Sequence, residues 1–204
     1  MKNGYEKTYE VVVPRLKGCD FPDAARRLGF DLIAKNTLSI NFLGRTFEIT
    51  QAGVRPLDGR DVSVNILSVL VYYTISKGDC EPLNDFCLLH YFSQGLFSNN
   101  GTGAEWMTAP LRRKFGDDYQ KFCAAATALG LVYEGSRVRG EYTWAYHLLP
   151  KMPIKVIYYE VDDEFPGDVK ILYDKTALNF LDFEPLAVLN GCFISTLASS
   201  TSMY

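Results

Sequence analysis

The stretch YTWAYHLLPKMPIKVIYYEVDDEFPGDVKILYD, residues 142–174, contains three runs of strand-forming residues and decides the fold. In the first run, alternate residues from Tyr142 to Leu148 are large and apolar, which is the two-residue period of a strand. The second run, residues 154–159, is β-branched and aromatic, and residues 171–173 form a shorter run. Only short segments separate the three runs. We therefore expect them to pair with one another in a mainly antiparallel sheet.

Helical patterns precede and follow these strands. Apolar residues recur at helical spacing, with stop or break residues at the ends, in segments 4–16, 20–29, 62–78, 102–109, 117–130 and 182–198. Pro110 is expected to divide the fourth helix from the residues that follow it. Residues 38–50 alternate about a turn and predict a hairpin, whereas residues 79–103 show no period and predict a long loop. Without a regular βαβ rhythm, the chain is expected to be α+β, with several packed helices.

The length and composition limit the organisation of the protein. The chain has 204 residues and is 48% hydrophobic, which predicts a single domain over residues 1–198 with a flexible tail over residues 199–204. Its net charge is −3 and it has no basic block, so we expect no nucleic-acid binding. No apolar run reaches the roughly 18 residues of a membrane span, and the start lacks the apolar segment of a secretory signal. The expected location is the cytoplasm.

Six of the sixteen residues from 159 to 174 are acidic. Several carboxylates can share a hard cation such as calcium or magnesium, and Asp163 and Asp168 are the candidate metal ligands. Alternatively, the acids finish one strand and begin a turn, because a turn Asp accepts backbone N–H bonds. The turn interpretation is favoured. It gives Asp163 the role of pinning the turn, and Asp174 the role of capping a short helix.

The loop before the fourth helix is a candidate anion site. Successive backbone N–H groups ahead of a helix N-terminus attract phosphate or carboxylate, and arginines beyond them add positive charge. The residues concerned are Asn99, Asn100, Gly101, Gly103, Trp106, Arg112 and Arg113. An ordinary capped loop, with Thr102 and Glu105 as the capping box, is the favoured interpretation.

His90 lies among apolar and aromatic residues, three positions after Cys87. A buried histidine can be an axial ligand to a haem or corrinoid, or a general base. Cys87 and His90 together supply two metal ligands, which do not make a site by themselves. The favoured interpretation is a histidine that is only hydrogen-bonded in place.

Four segments together resemble a bacterial and archaeal family known only as domain of unknown function 3786. They are a Pro-led strand from Pro153, an acidic Phe-Pro turn at 163–166, an Ile-Leu-Tyr-Asp strand at 171–174, and the helix FGDDYQKFCAAATALG at 115–130. The resemblance singles out Asp163 and Phe165 as special positions of the turn. Phe165, ahead of Pro166, is expected to fill the core.

Relatives of this kind occur in anaerobes, and some are joined to a cysteine-rich iron–sulfur segment. The resemblance therefore implies an accessory role near redox or cofactor metabolism, with a redox or iron–sulfur protein as a partner. The leading functional hypothesis is a binding module that holds a small anionic or planar cofactor, or a partner protein, beside the loop at residues 95–106. The alternatives are a divalent-metal-dependent hydrolase or lyase that uses the acidic segment, and a structural protein–protein interaction module.

Overall fold

The computed structural model describes the backbone of residues 4–93 and 102–200, and the side chains of residues 7–93 and 108–200. Six α-helices lie within this part of the chain. They are α1 (Gly4–Val12), α2 (Phe21–Leu28), α3 (Val64–Thr74), α4 (Thr102–Phe115), α5 (Tyr119–Leu129) and α6 (Phe183–Ser199). Short 3₁₀ helices cover Val13–Gly18, Leu89–Ser93 and Ala177–Asn179.

Nine strands of the described chain form two antiparallel sheets. The strands are β1 (Asp31–Ala34), β2 (Thr37–Phe42), β3 (Arg45–Thr50), β4 (Gly53–Pro56), β5 (Phe86–Leu88), β6 (Val132–Gly135), β7 (Glu141–Leu149), β8 (Met152–Tyr159) and β9 (Asp168–Asp174). The first four form one sheet in the order β1-β2-β3-β4, and the others form a second sheet in the order β5-β9-β8-β7-β6. The predicted α+β class with mainly antiparallel pairing is confirmed.

The chain divides into two compact units. Unit 1 comprises Met1–Glu81, Leu149–Lys151 and Thr176–Cys192, and unit 2 comprises Pro82–Leu148, Met152–Lys175 and Phe193–Tyr204. The prediction of a single domain over residues 1–198 with a flexible tail over residues 199–204 stays a prediction.

In unit 1, the sheet follows directly from the alternating sequence. Leu38, Ile40 and Phe42 of β2 are buried, as are Phe47 and Ile49 of β3, while the residues between them are more exposed. The turn between these strands, Leu43 and Gly44, has φ of 50° and 75°. Two central residues with positive φ match the right-handed twist of the flanking strands.

Helix α2 shows how local signals delimit a helix. The Asp20 carboxylate accepts from the backbone N–H of Asp23 at 3.1 Å, Pro22 occupies the first turn, and Gly29 adopts a left-handed conformation at the C-terminus. The cap satisfies an N–H group that has no partner inside the helix. All three signals are legible in the sequence, and the helix ends where they predict.

In unit 2, strands β8 and β9 place alternate side chains in the core. Val156 and Tyr158 are buried on β8, and Val169, Ile171 and Tyr173 are buried on β9. Helix α5 covers this sheet with Phe122, whose ring lies 6.0 Å from that of Trp144 on β7 and 5.1 Å from that of Tyr158. This aromatic layer is the core of the unit.

Two sequence expectations are corrected by the structure. The supposed loop from 79 to 103 contains strand β5 and a 3₁₀ helix, because β5 is defined by its pairing with β9 rather than by its own pattern. Pro110 does not divide α4, which runs through it. Leu111 and Phe115 beyond the proline are fully buried, and we attribute the continuation of the helix to this packing, which offsets the hydrogen bond that a proline removes.

Candidate ligand-binding cleft

A cleft of about 910 Å³ lies in unit 2, at the end of the sheet where β7 begins, β8 ends and β9 begins. We call it the charged cleft. Its walls come from the β6–β7 loop (residues 136–140), the β8–β9 turn (residues 160–167) and helix α4. Clefts of this size are typical of small-molecule sites.

The two loops of the charged cleft are held to each other through the backbone. The N–H of Glu160 on the β8–β9 turn donates to the carbonyl of Gly140 on the β6–β7 loop at 2.8 Å, and at the end of the β6–β7 loop the N–H of Glu141 donates to the carbonyl of Val138 at 3.1 Å. Since the bond between Glu160 and Gly140 uses main-chain groups, it does not depend on the particular side chains at these two positions.

Asp162 organises the β8–β9 turn. Its Oδ1 accepts from the backbone N–H of Glu164 at 2.9 Å and of Phe165 at 2.7 Å, and its own N–H donates to the carbonyl of Phe165 at 3.0 Å. This is an Asx turn, in which the carboxylate bonds to N–H groups two and three residues ahead. The sequence analysis assigned this role to Asp163. In the structure Asp162 has this role, because the bonded N–H groups of Glu164 and Phe165 lie two and three residues after it. Asp163 is exposed at the cleft.

Phe165 is a further departure from expectation. The sequence analysis places its ring in the core, but the side chain is 65% exposed and lines the charged cleft. The turn buries Gly167 instead, two residues later. An exposed phenyl ring in a cleft is available to a ligand.

Gly167 lies in backbone contact with Gly116, which follows α4. A Cβ atom built on Gly167 would lie 1.8 Å from the carbonyl oxygen of Gly116, so no larger residue fits there without a backbone shift. The N–H of Gly116 in turn donates to the carbonyl of Arg112 at 2.8 Å. The two glycines therefore fasten the β8–β9 turn to the end of α4, from which Arg112 reaches the cleft wall.

The charged cleft carries both signs of charge. Five carboxylates line it, on Glu141, Glu160, Asp162, Asp163 and Asp168, together with three cations, on Arg112, Arg139 and Lys170. Tyr159 and Phe165 add aromatic surface, and the Lys170 ammonium lies 4.8 Å from the centre of the Tyr159 ring. Guanidinium groups bind phosphate and carboxylate in a bidentate manner, and the excess of carboxylates suits hydrogen-bond donors.

Two tyrosines beside the cleft are held in the neutral form. Partial burial raises the pKa of Tyr159, and the negative charges of Glu141 and Asp168 raise it further. Desolvation likewise raises the pKa of Tyr142, with the carboxylate of Glu160 as the next cause. At neutral pH both phenols keep their protons and act as hydrogen-bond donors.

The structure brings together residues that the sequence analysis assigned to two different sites. Arg112, expected in an anion site, lines the same cleft as Asp163 and Asp168, expected to be metal ligands. Arg113 and His90 are both exposed but lie outside the cleft wall, the histidine in the 3₁₀ helix after β5.

The other five residues of the predicted anion site lie wholly or partly outside the described part of the chain. Asn99, Asn100 and Gly101 lie outside the described residues. Gly103 and Trp106 belong to the first turns of α4, and the side chain of Trp106 also lies outside the described part. The loop interpretation for these five residues stays a prediction.

Asp174 has a structural role at the far end of β9. Its carboxylate is 1% exposed and accepts from the backbone N–H groups of Leu83 at 3.2 Å and Asn84 at 2.5 Å. Asn84 has a φ of 57°, a conformation that costs free energy in a residue with a side chain. The N-cap position of the following 3₁₀ helix is Thr176, so the buried carboxylate anchors a distant loop where the sequence suggested a helix cap.

Among the described side chains, those of residues 7–93 and 108–200, no three of His, Cys, Asp or Glu are grouped so that they could hold a metal ion. Asp163 and Asp168 are both in the cleft wall, and their assignment as metal ligands stays a prediction.

Arg139, Lys170 and Glu141 were missed by the sequence analysis. Arg139 stands directly before Gly140, which has a φ of 80°, and a basic residue next to a turn glycine is a common surface pattern. No local signal shows that the β6–β7 loop faces the β8–β9 turn. That arrangement requires the paired sheet.

None of the helices in the described part of the chain is long and apolar enough to cross a bilayer. Comparison with curated proteins and with solved structures finds no match to this chain. A family model does match, over residues 20–196, which include every residue named in the charged cleft. The predicted resemblance is thus confirmed, and the chain belongs to the family described as Domain of unknown function (DUF3786).

Proposed function

We propose that this protein is a binding module whose charged cleft holds a small planar molecule with one anionic group. The observation that carries the proposal is the convergence of Arg112, Asp163 and the exposed ring of Phe165 in one cleft. Each contributes a different element of recognition, and each comes from a segment that backbone contacts hold in place.

The cations select the anionic group of the ligand. Arg112 and Arg139 approach the cleft from different elements, and Lys170 adds a third positive charge. A phosphate or carboxylate can take bidentate hydrogen bonds from a guanidinium. These three cations are the reason that the proposed ligand carries an anionic group.

The rings and the acids select the remainder of the ligand. Phe165 is 65% exposed, and Tyr159 also lines the cleft. Aromatic faces of this kind stack on planar rings. The carboxylates outnumber the cations, so a bare polyanion is repelled, whereas a ring with amino or hydroxyl donors is accommodated.

Titration with AMP in the absence of divalent cations tests this proposal, since AMP combines a planar ring, an exocyclic amine and one phosphate. Arg112→Ala is expected to weaken binding by about 1–2 kcal/mol, or roughly 5- to 30-fold, which is the range for an exposed charge-assisted hydrogen bond. Arg113→Ala is the matched control, because the same residue type lies next to it on α4, also exposed but outside the cleft.

The control variant is expected to bind AMP within about twofold of the wild-type affinity. Adenosine and inorganic phosphate, each carrying half of the recognition elements, should bind more weakly than AMP. Equal losses in the two arginine variants, or no saturable binding of AMP, would contradict the proposal and favour an interaction module instead.

A divalent-metal-dependent hydrolase or lyase is the second candidate, because Asp163 and Asp168 line the same cleft. Magnesium-dependent release of phosphate from AMP, abolished by Asp163→Asn, would favour it over simple binding. The redox or iron–sulfur partner stays a prediction of the family resemblance.

A further inference from the structure

Unit 1 contains a second cavity, of about 660 Å³, between α1, α3 and the start of α6. We call it the three-helix groove. It is separate in sequence from every residue of the charged cleft, and its lining is more apolar. Its volume lies in the range of small-molecule sites.

Ser68 on α3 lines this groove and is anomalous. The residue is only 5% exposed, and its Oγ has no hydrogen-bond partner among the described residues. A buried hydroxyl without a partner is destabilising, and native structures contain few of them. Asn65 stands one turn earlier on the same face of α3 and lines the groove as well. Together they give the groove a polar strip that a ligand can satisfy.

Apolar side chains flank this strip. Val69 and Tyr72 come from α3, Val188 comes from α6, and Val11 of α1 lies in the groove wall with 78% of its side chain exposed. An apolar body of a ligand would shield this surface from water, which is favourable in proportion to the area covered.

The charges at the groove favour a cation. Asp182 and Glu184 contribute two carboxylates at the start of α6, against the single ammonium of Lys7. The N-terminus of a helix carries about half a positive charge, which offsets only part of this excess. An anionic ligand is therefore disfavoured, and a ligand with one positive charge is favoured.

We infer that the three-helix groove binds an organic amine with an apolar body. The ammonium group donates hydrogen bonds, which Ser68 Oγ can accept once rotation about χ1 turns this buried oxygen toward the groove, and the carboxylates of Asp182 and Glu184 provide the opposite charge. The apolar part packs against Val69 and Val188. This site goes beyond the proposed function and does not depend on it.

Three probes of the same shape test the inference in the full-length protein: 2-phenylethylamine, 2-phenylethanol and 3-phenylpropionate. Binding is followed by shifts of backbone amide signals. We expect saturable binding of the amine with shifts along α3, weaker binding of the alcohol, and none of the carboxylate. An alcohol that binds as tightly as the amine, or no saturable binding of the amine, would overturn the assignment.

Ser68→Ala separates a ligand-binding hydroxyl from a structural one. We expect this variant to bind the amine about three- to tenfold more weakly while its Tm is equal to or above that of the wild type, because an unpartnered hydroxyl has been removed. Glu184→Gln should also weaken amine binding, whereas Ser195→Ala, at an exposed position on α6 outside the groove, should leave it unchanged. A lower Tm of Ser68→Ala together with unchanged amine binding would refute the inference.

Discussion

Replacement of Gly167 by alanine tests whether the contact between two glycines holds the β8–β9 turn in place. The added Cβ would lie 1.8 Å from the carbonyl oxygen of Gly116, where real Cβ contacts essentially never fall below 3.0 Å. The two backbone segments must then separate by at least about 1.2 Å, as the difference of these distances. Overpacking of this kind costs about 1–3 kcal/mol.

A second cost follows from the same displacement. The buried hydroxyl of Tyr158 donates to the carbonyl of Phe115 at 2.8 Å and lies 3.2 Å from that of Gly116. Movement of this backbone weakens a hydrogen bond worth about 1 kcal/mol. The total loss of unfolding free energy is about 2–4 kcal/mol, which for a chain of this size lowers Tm by roughly 4–16 °C.

The assay is thermal unfolding followed by circular dichroism, with Gly191→Ala as the control. Gly191 lies within α6, and apart from its own helix backbone and its chain neighbours no atom of the described residues stands within 4 Å of a Cβ built there. Alanine in place of a helical glycine is worth about 0.5–1 kcal/mol of added stability, so the control should melt at or above the wild-type temperature. If Gly167→Ala melts within about 1 °C of the wild type, the reasoning from the close contact is refuted.

Two further predictions concern buried polar groups of unit 2. Asp174→Asn replaces a carboxylate that accepts from two backbone N–H groups by an amide with one acceptor atom. The variant should lower the unfolding free energy by about 1.5–3 kcal/mol and speed hydrogen exchange at Leu83 and Asn84. Unchanged exchange at both residues would contradict the anchor role. Burial raises the pKa of Tyr158 from 10.0 to about 12, so the neutral phenol stabilises the fold fully below pH 10 and this contribution is lost as the pH rises toward 12. Urea unfolding from pH 8 to 12 should therefore show a shallower alkaline loss of stability in Tyr158→Phe, and identical pH profiles of the two proteins would rule this contribution out.

Helix ends and strand alternation were predictable because they depend on near neighbours. Asp20 and Gly29 delimit α2 through contacts within a few residues, and the alternation from Leu38 onward places β2 and β3 with their inner faces buried. The short strands β5 and β6 were not predicted. Their sequences have little pattern of their own, and pairing with β9 and β7 defines them.

The candidate site also has features that the sequence predicted and features that depend on the folded chain. The sequence picked out Arg112 and Asp163 separately, as parts of two different sites, and it misplaced Phe165. Asp162 rather than Asp163 accepts the turn's N–H groups, because an Asx turn depends on a spacing of two or three residues that the acidic run satisfies at more than one position. A one-residue difference of this kind is settled only by the backbone.

What the sequence determined by itself was the α+β class, most of the helices, the hairpin and the family, since these rest on periodicity, capping and motifs within short segments. The tertiary structure alone decided that Arg112, more than fifty positions from Asp168, shares a cleft with it, and that the Ser68 hydroxyl is buried with no hydrogen-bond partner in the described part of the chain. The physical reason is that charge and hydrogen-bond complementarity act between groups that only the folded backbone brings close together, here through the contact of Gly116 with Gly167.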